Sequence, residues 1–393
     1  MKIIFATRSV YPFHGYGGME EYVFFLAKYL LEQDNEIEII TNSMNGKVSK
    51  EIYNNMIFTF LPPNVKQNSQ MKKAILQPYT YHRLSWNITK YLKTQKFDIL
   101  HAFGGTPFYY LFERNRKPVV FQTFGNEPWK AKGLIKIYNY LVWYLWAWWL
   151  FYASDIVASE GKTQTDEIIK LFNIKKDKIF ILPDGIDVGL IEESILNCKI
   201  TREDIGLNKD DFVIITVSRL DRVKRIDLII EAFNIIHKKI PHAKLVIIGV
   251  GQEEKNIYQL ISQHNLSPYV LHFKNLEFRE LYKYLSLADV FINASLQNVL
   301  LLGVLEAMAC GLPVVSSDNQ EGLVINDKTG YVVGPENVNG MIDEIFKIYS
   351  TSISKQIGEN AREMVKSYSW DSIAKIALEK YKELINKKEG NYK

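Results

Sequence analysis

Glu306 is the only charged residue between Asp289 and Asp318, in the stretch DVFINASLQNVLLLGVLEAMACGLPVVSSD. An ionised carboxylate among Leu, Val and Met is costly unless donors reach it. The vicinal hydroxyls of a ribose would serve; a partner Arg or Lys, or an outward face touching water, is the structural alternative. A second cluster holds Arg219, Arg222, Lys224 and Arg225, between the apolar run Phe212–Val217 and the apolar-periodic stretch Ile226–Ile236. A helix N-terminus already carries partial positive charge, so cations crowd there to advantage only around an anion. Backbone N–H groups together with Arg219 and Lys224 would hold a diphosphate; the alternative is local neutralisation by Asp221 and Asp227. A third feature is Gly15-Tyr16-Gly17-Gly18, which feeds an amphipathic helix over Met19–Leu31. Such a loop lets a phosphate approach backbone amides. It is not a dinucleotide fingerprint, because Glu20 stands where the last Gly belongs, and a plain tight turn is equally compatible.

These residues need elements to position them. Val290–Ala294 is a short apolar run and reads as a buried strand; Ser295–Asn298 is a polar loop. Val299–Cys310 is apolar around nearly its whole circumference and suits a buried helix, with Gly311 as C-cap and Pro313 blocking continuation. Val314–Ser317 is the next strand. A strand–helix–strand unit places the intervening loop at the carboxyl edge of a sheet, where open α/β folds bind ligands. The same alternation runs through the chain. Lys2–Ala6, Glu36–Thr41, Met56–Phe60, Phe97–Ala102, Val119–Gln122, Asp155–Ser159 and Lys178–Leu182 read as strands of a first half. Phe212–Val217, Lys244–Ile248 and Val270–Phe273 join the two strands above in a second half. Gly249, after the Lys244–Ile248 strand, leaves room for a base or ribose. Ser369 is a fair N-cap for a final helix. No repeat at solenoid periods is present, so two doubly wound α/β domains are expected.

Length agrees, since 393 residues suit two ordinary domains. Two distant cysteines, Cys198 and Cys310, make no disulfide framework, and the apolar start MKIIFATRS is too short for a signal peptide. A cytoplasmic protein is the expectation. Net charge is only +4, but Lys66–Lys136 carries 13 Lys/Arg against three acids. That segment reads either as a solvated basic surface or as a site for anionic partners such as membrane headgroups or pyrophosphates. Nucleic acid is not expected, because no binding motif accompanies the charge. Tyr138–Tyr152 reads YNYLVWYLWAWWLFY. It fits an aromatic-rich core helix or an interfacial helix, since Trp and Tyr favour a surface with one side wet. Lys136 and Asn139 interrupt a true span. Together, residues 66–152 are a candidate contact with an anionic membrane surface.

Ser295, Asn298 and Glu306, followed by Ala307-Met308-Ala309-Cys310-Gly311-Leu312-Pro313-Val314-Val315, resemble the signature of the retaining glycosyltransferases of family 4, which have the GT-B fold. The resemblance extends over nearly the whole chain and is most specific at 289–315. It implies two Rossmann-like doubly wound domains facing a cleft: residues 1–187 on the acceptor side, a linker at 188–210, a nucleotide-sugar-binding domain at 211–368, and a crossover helix at 369–393 returning to the first domain. By this resemblance Glu306 holds the donor ribose, Arg219 and Lys224 hold the pyrophosphate, and Gly17 and Gly18 lie against donor phosphates and acceptor. Gly249 and the Asn275-Leu276 segment face the nucleoside, Leu276 through its backbone, and the amides of Leu300 and Leu301 face the donor. Two positions depart from the family pattern. Asn298 stands where a sugar-binding Glu is usual, and Phe124 where a Thr-His-Gly segment usually supplies a His near the reacting carbon. Glu127 and Asn298 are the remaining candidates for a catalytic role, and no base is named.

The implied activity is transfer of a hexose-type sugar from a nucleotide-sugar to a glycan or lipid-linked acceptor, with retention and without a metal or other cofactor. No D-x-D loop is present, and Arg219 and Lys224 take the cation's part. The expected location is cytoplasmic, peripheral on the inner face of the cell membrane. The departures at Phe124 and Asn298 leave two rivals: a nucleotide-sugar-binding relative without turnover, and a sugar-nucleotide epimerase of the same architecture.

Overall fold

The computed structural model describes residues 1–15, 18–62, 70–124, 144–197, 199–274, 276–296, 301–318, 320–351 and 353–390, with the side chains of 70–79 and 278 left aside. The chain forms two compact units. One is Met1–Gly185 together with the segment from Trp370 onward; the other is Ile186–Ser369.

The first unit is built on an eight-stranded sheet with strand order β3-β4-β2-β1-β5-β6-β7-β8. Its strands are β1 (Lys2–Ala6), β2 (Glu36–Asn42), β3 (Ser49–Tyr53), β4 (Met56–Leu61), β5 (Ile99–Phe103), β6 (Val119–Gln122), β7 (Ile156–Ser159) and β8 (Ile179–Ile181). All pair in parallel except β3 with β4. Strands such as β1 and β6 read as nearly continuous apolar runs because helices cover both faces of such a sheet, whereas β2 carries the buried Glu38, which accepts from Thr59 Oγ1 and Tyr91 OH. The sequence-based strand list missed β3. Its hairpin turns through Asn54 and Asn55, both at positive φ, 49° and 59°, as a tight hairpin turn requires. Helix α1 (Gly18–Leu31) buries Tyr22, Val23, Phe24, Leu26, Ala27 and Leu30. Helix α2 (Gln70–Leu92) and a helix at 144–153, α3, cover another part of the unit together with α4 (Lys162–Phe172).

The second unit contains a six-stranded parallel sheet, ordered β11-β10-β9-β12-β13-β14. The strands are β9 (Phe212–Val217), β10 (Ala243–Ile248), β11 (Val270–Phe273), β12 (Val290–Asn293), β13 (Val314–Ser316) and β14 (Gly330–Val332). Helix α5 (Val188–Leu196), read as linker from sequence, belongs to this unit; Asp187 caps it by accepting from Leu190 N at 2.9 Å. The remaining helices are α6 (Ile226–Lys239), α7 (Glu254–Gln263), α8 (Phe278–Ser286), α9 (Leu302–Ala309), α10 (Val338–Ser350) and α11 (Ser354–Met364). The expected helix at 299–310 is thus shorter: Leu301 is extended at φ −107°, ψ 127°, and caps α9.

The last helix, α12 (Trp370–Gly390), returns to the first unit. Trp370 meets Tyr22 of α1 edge to face at 5.2 Å, and Tyr381 OH is hydrogen-bonded to Nδ1 of the buried His101 on β5. Burial drives the His101 imidazole down to about 3. It is a neutral structural residue, as its place in a strand implies.

Candidate functional site

Strand order locates the ligand edge of each sheet. In the second unit β10 and β11 extend to one side of β9 while β12, β13 and β14 extend to the other. The order therefore reverses between β9 and β12, and loops leaving their carboxyl ends flank a natural crevice. The loop after β9 is Ser218–Arg225, the basic cluster; the loop after β12 begins at Ala294. They are joined directly: Leu296 N donates to Val223 O at 2.8 Å, and Ser295 Oγ donates to the same oxygen at 3.4 Å. Leu220 N bonds to Val250 O in the loop after β10 at 2.9 Å. Ser317, after β13, donates through N to Asn293 O and through Oγ to Ser295 O, at 3.0 and 2.6 Å. Four strand ends thus form one hydrogen-bonded rim.

The four cations of this rim separate into different roles. Arg225 takes a left-handed conformation at φ 49° and binds Asp227 through Nε and Nη2, at 3.0–3.1 Å, as well as Glu336. It shapes the entry to α6 and is not available to an anion. Arg222 is almost fully exposed, 3.6 Å from Glu253. Arg219 is also exposed and pairs with Asp221 at 3.1 Å, a solvated contact of little net value that a phosphate can replace. Lys224 is different: only 8% of it is exposed. An ammonium at that depth requires electronegative neighbours. One is Asp318, whose carboxyl is raised above its ordinary value by burial, against the opposing pull of Gln320 N–H donors and the Lys224 charge. Local neutralisation therefore accounts for Arg225 and, through an exposed pair with Asp221, touches Arg219 as well, while Lys224 is buried near Asp318.

Glu306 is buried on α9, 7% exposed. Its carboxylate charge adds to burial in pushing the neighbouring Cys310 thiol far above the ordinary range. The helix packs tightly on the sheet: a Cβ on Gly303 would stand 2.8 Å from Val217 O. Gly249 has a similar use. It sits at φ 141°, and a Cβ there would be 1.9 Å from Ser218 O. Backbone fills the place a side chain would take, so glycine is required here by the approach of the Ser218 carbonyl. Leu276 follows β11 and packs against the core of the second unit. Gly17, Glu127, Asn275, Asn298 and Leu300 lie outside the described residues, as does the 138–143 part of the aromatic run.

Two features of this rim escaped sequence reasoning. Gln320, 1% exposed, donates to Asp318 and accepts from Leu301 N at 3.0 Å, so it ties the β13 loop to the start of α9. Gln320 and Glu321 both hold positive φ, 48° and 58°. Strain of this kind persists where the surroundings fix it and concentrates at functional sites. Nothing in the local sequence distinguishes these residues from an ordinary polar turn.

In the first unit the strand order reverses between β1 and β5. The loop after β1 leads to Gly15 and then to Gly18, the first residue of α1. In the first turn of α1, Ser9 Oγ donates to Glu20 at 2.7 Å. Burial, with help from Glu20 and Asp184, raises the Glu21 carboxyl to about 7, and burial raises Asp184 as well. Phe124, which stands where the resembling family usually has a His, stacks on Phe103 at 5.8 Å and meets Tyr22 edge to face at 5.1 Å. It is a packing residue with no polar atom to offer.

Two family models match this chain: "Glycosyltransferase Family 4" over residues 16–190 and "Glycosyl transferases group 1" over residues 198–364. Together they account for most of the sequence, and the chain belongs to the group 1, family 4 glycosyltransferases, with the GT-B fold. It is 27% identical over 242 residues to a D-inositol 3-phosphate glycosyltransferase of Paenarthrobacter aurescens (strain TC1), covering 60% of this chain and 58% of that protein. It is 28% identical over 225 residues to an alpha-monoglucosyldiacylglycerol synthase of Acholeplasma laidlawii, covering 56% of each. The match therefore spans little more than half the length of these curated relatives. Among solved structures, Anabaena HepE in complex with UDP and glucose superposes with a TM-score of 0.72 at 17% identity, over 98% of this chain and 100% of that one.

Proposed function

We propose that this protein transfers a hexose-type sugar from a nucleotide-sugar donor to a lipid-linked glycan acceptor, with retention of anomeric configuration. The observation that carries the reading is the rim of the second sheet. A buried lysine and an exposed arginine lie on the loop after β9, at the reversal of strand order, with a buried glutamate on the helix that follows β12. Lys224 and Arg219 neutralise the departing diphosphate, charge that grows as the glycosidic bond breaks and is best stabilised by groups already in place. Glu306 accepts hydrogen bonds from the ribose hydroxyls, and a charged acceptor makes these stronger than a neutral one would. Asn298 hydrogen-bonds donor hydroxyls without charge. The leaving phosphate takes the acceptor proton on the same face, so no protein base is required, and the cationic pair replaces a metal.

The acceptor class is supported by the basic, aromatic first unit and by the relative named as an alpha-monoglucosyldiacylglycerol synthase. In this reading the protein works peripherally at the inner face of the cell membrane. Among the described residues, no helix is long and apolar enough to cross a membrane. The test is incubation of purified protein with radiolabelled nucleotide-sugars and a membrane lipid extract. Label in the lipid fraction is expected. Interconverted free nucleotide-sugar, or tight binding without turnover, would contradict the proposal and support the epimerase or the non-catalytic relative respectively.

A further inference from the structure

We propose that α2, the turn at Tyr110–Phe112 and α3 together form a docking face for an anionic lipid bilayer. On α2, Arg83, Trp86 and Lys90 are exposed, while Leu84, Ser85, Ile88 and Thr89 are buried. Spacings of three and four put the exposed three on one side of the helix. Trp86 is 50% exposed, with Lys90 Nζ 5.3 Å above its ring. Half of this large aromatic ring stays in water, with a cation over its face.

The ring contacts run on from there. Trp86 meets Tyr109 edge to face at 5.3 Å, Tyr109 meets Phe108 at 5.2 Å, and Phe108 meets Phe112 at 5.6 Å. Phe112, 58% exposed, stacks on Trp149 of α3 at 4.6 Å. One turn either way on α3, Leu145 is 73% exposed and Trp148 stacks on the exposed Tyr152 at 4.8 Å. The result is a continuous aromatic surface assembled from three elements. The sequence runs that supply it are separated by tens of residues, so only the fold shows that they share a face.

Charge selects the occupant. Residues 80–124 contain seven Lys/Arg and two acids, Asp98 and Glu113. Glu113 is already matched by Lys93 at 2.7 Å. Arg83, Lys90, Arg114 and Lys117 are exposed, and none has a carboxylate partner among the described residues. A second copy docking face to face would set these cations against their own equivalents. A bilayer with anionic headgroups supplies the opposite charge at the level of the lysines and an apolar layer for the rings, and Trp and Tyr are stable at that boundary. The proposal deepens the membrane contact stated above and rests on that reading for its purpose, delivery of a lipid-linked acceptor.

The test uses the full chain and phosphatidylcholine vesicles with and without phosphatidylglycerol, at low and high salt, with no nucleotide-sugar present. Co-sedimentation with the anionic vesicles is expected, weakened by salt. Arg83→Glu with Lys90→Glu should reduce binding to them at least about tenfold, each charge contributing near the surface. Trp86→Ser with Phe112→Ser should also reduce binding, and what remains should stay fully salt-dependent because the cations are untouched. All four side chains are exposed, and an unchanged melting curve checks the fold of each variant. Failure of the wild type to sediment overturns the proposal. So does sedimentation of both double variants at the wild-type level, or a concentration-dependent dimer abolished by the same substitutions. Vesicle binding without sugar transfer would leave the docking face standing and refute the catalytic reading alone.

Discussion

Replacing Glu21 by Gln should stabilise the first unit at neutral and alkaline pH and change nothing in acid. Burial, with the nearby carboxylates of Glu20 and Asp184, lifts the Glu21 carboxyl from 4.5 to about 7. The unfolded chain has neither influence, so folding takes up a proton across that interval. The stability associated with the neutral acid is complete below about 4.5, is lost as pH rises through about 7, and stays constant above. At 1.36 kcal/mol for each pH step the penalty of holding the charged form reaches about 3 kcal/mol. Glutamine mimics the protonated acid and removes the penalty. The assay follows from the distribution of tryptophan: all seven lie in the first unit, at 86, 129, 143, 146, 148, 149 and 370. Fluorescence melting therefore reports the unit that holds Glu21. About 3 kcal/mol in a unit of this size is roughly 6–12 °C in Tm. Glu21→Gln should melt higher than wild type by that amount at pH 8 and together with it near pH 4.5. A difference independent of pH, or one that grows toward acid, would refute the reasoning.

Other outcomes follow from the second unit. Lys224→Met keeps the stem that packs in the rim and removes the charge; sugar transfer should fall by roughly 100- to 1,000-fold, the usual effect of losing one preorganised electrostatic group, with no change in secondary structure by circular dichroism. Glu306→Gln should weaken nucleoside diphosphate binding about tenfold, the difference between a charged and a neutral acceptor, measured by titration calorimetry. Gly249→Ala must move the Ser218 carbonyl and adopt φ 141°, costing more than about 3 kcal/mol. The second unit contains no tryptophan, so this loss should appear in far-ultraviolet circular dichroism melting while the fluorescence transition stays in place.

Parallel strands buried on both faces carry their own signal. Lys2–Ala6, Val119–Gln122 and Phe212–Val217 were legible residue for residue because they are short, almost wholly apolar runs. Strand β3 was not, since its side chains are mostly exposed and its pairing comes from the Asn54-Asn55 turn rather than from hydrophobicity. Helix α5 was read as linker although Asp187 is a good N-cap for it; its apolar face is short, and its packing against the second core is a tertiary fact. The candidate site divides in the same way. Glu306 and the basic loop stand out because charge in an apolar setting is conspicuous in one dimension. The separation of Arg225 from Lys224 was only half visible: Asp227 is close to Arg225 in sequence, but Glu336 and Asp318 come from later loops. Gln320 and the Glu21–Asp184 pair were invisible for the same reason: polar residues in turns acquire meaning only from what the fold places beside them.

The central claim is that the carboxyl edge of the second sheet grips a nucleoside diphosphate, cations at one part and a buried acid at another. Titration calorimetry of the full chain with UDP, GDP, ADP and dTDP tests it most directly. At least one should bind saturably, with affinity reduced in both Lys224→Met and Glu306→Gln. Binding by none of the four, or binding that neither substitution alters, would contradict it.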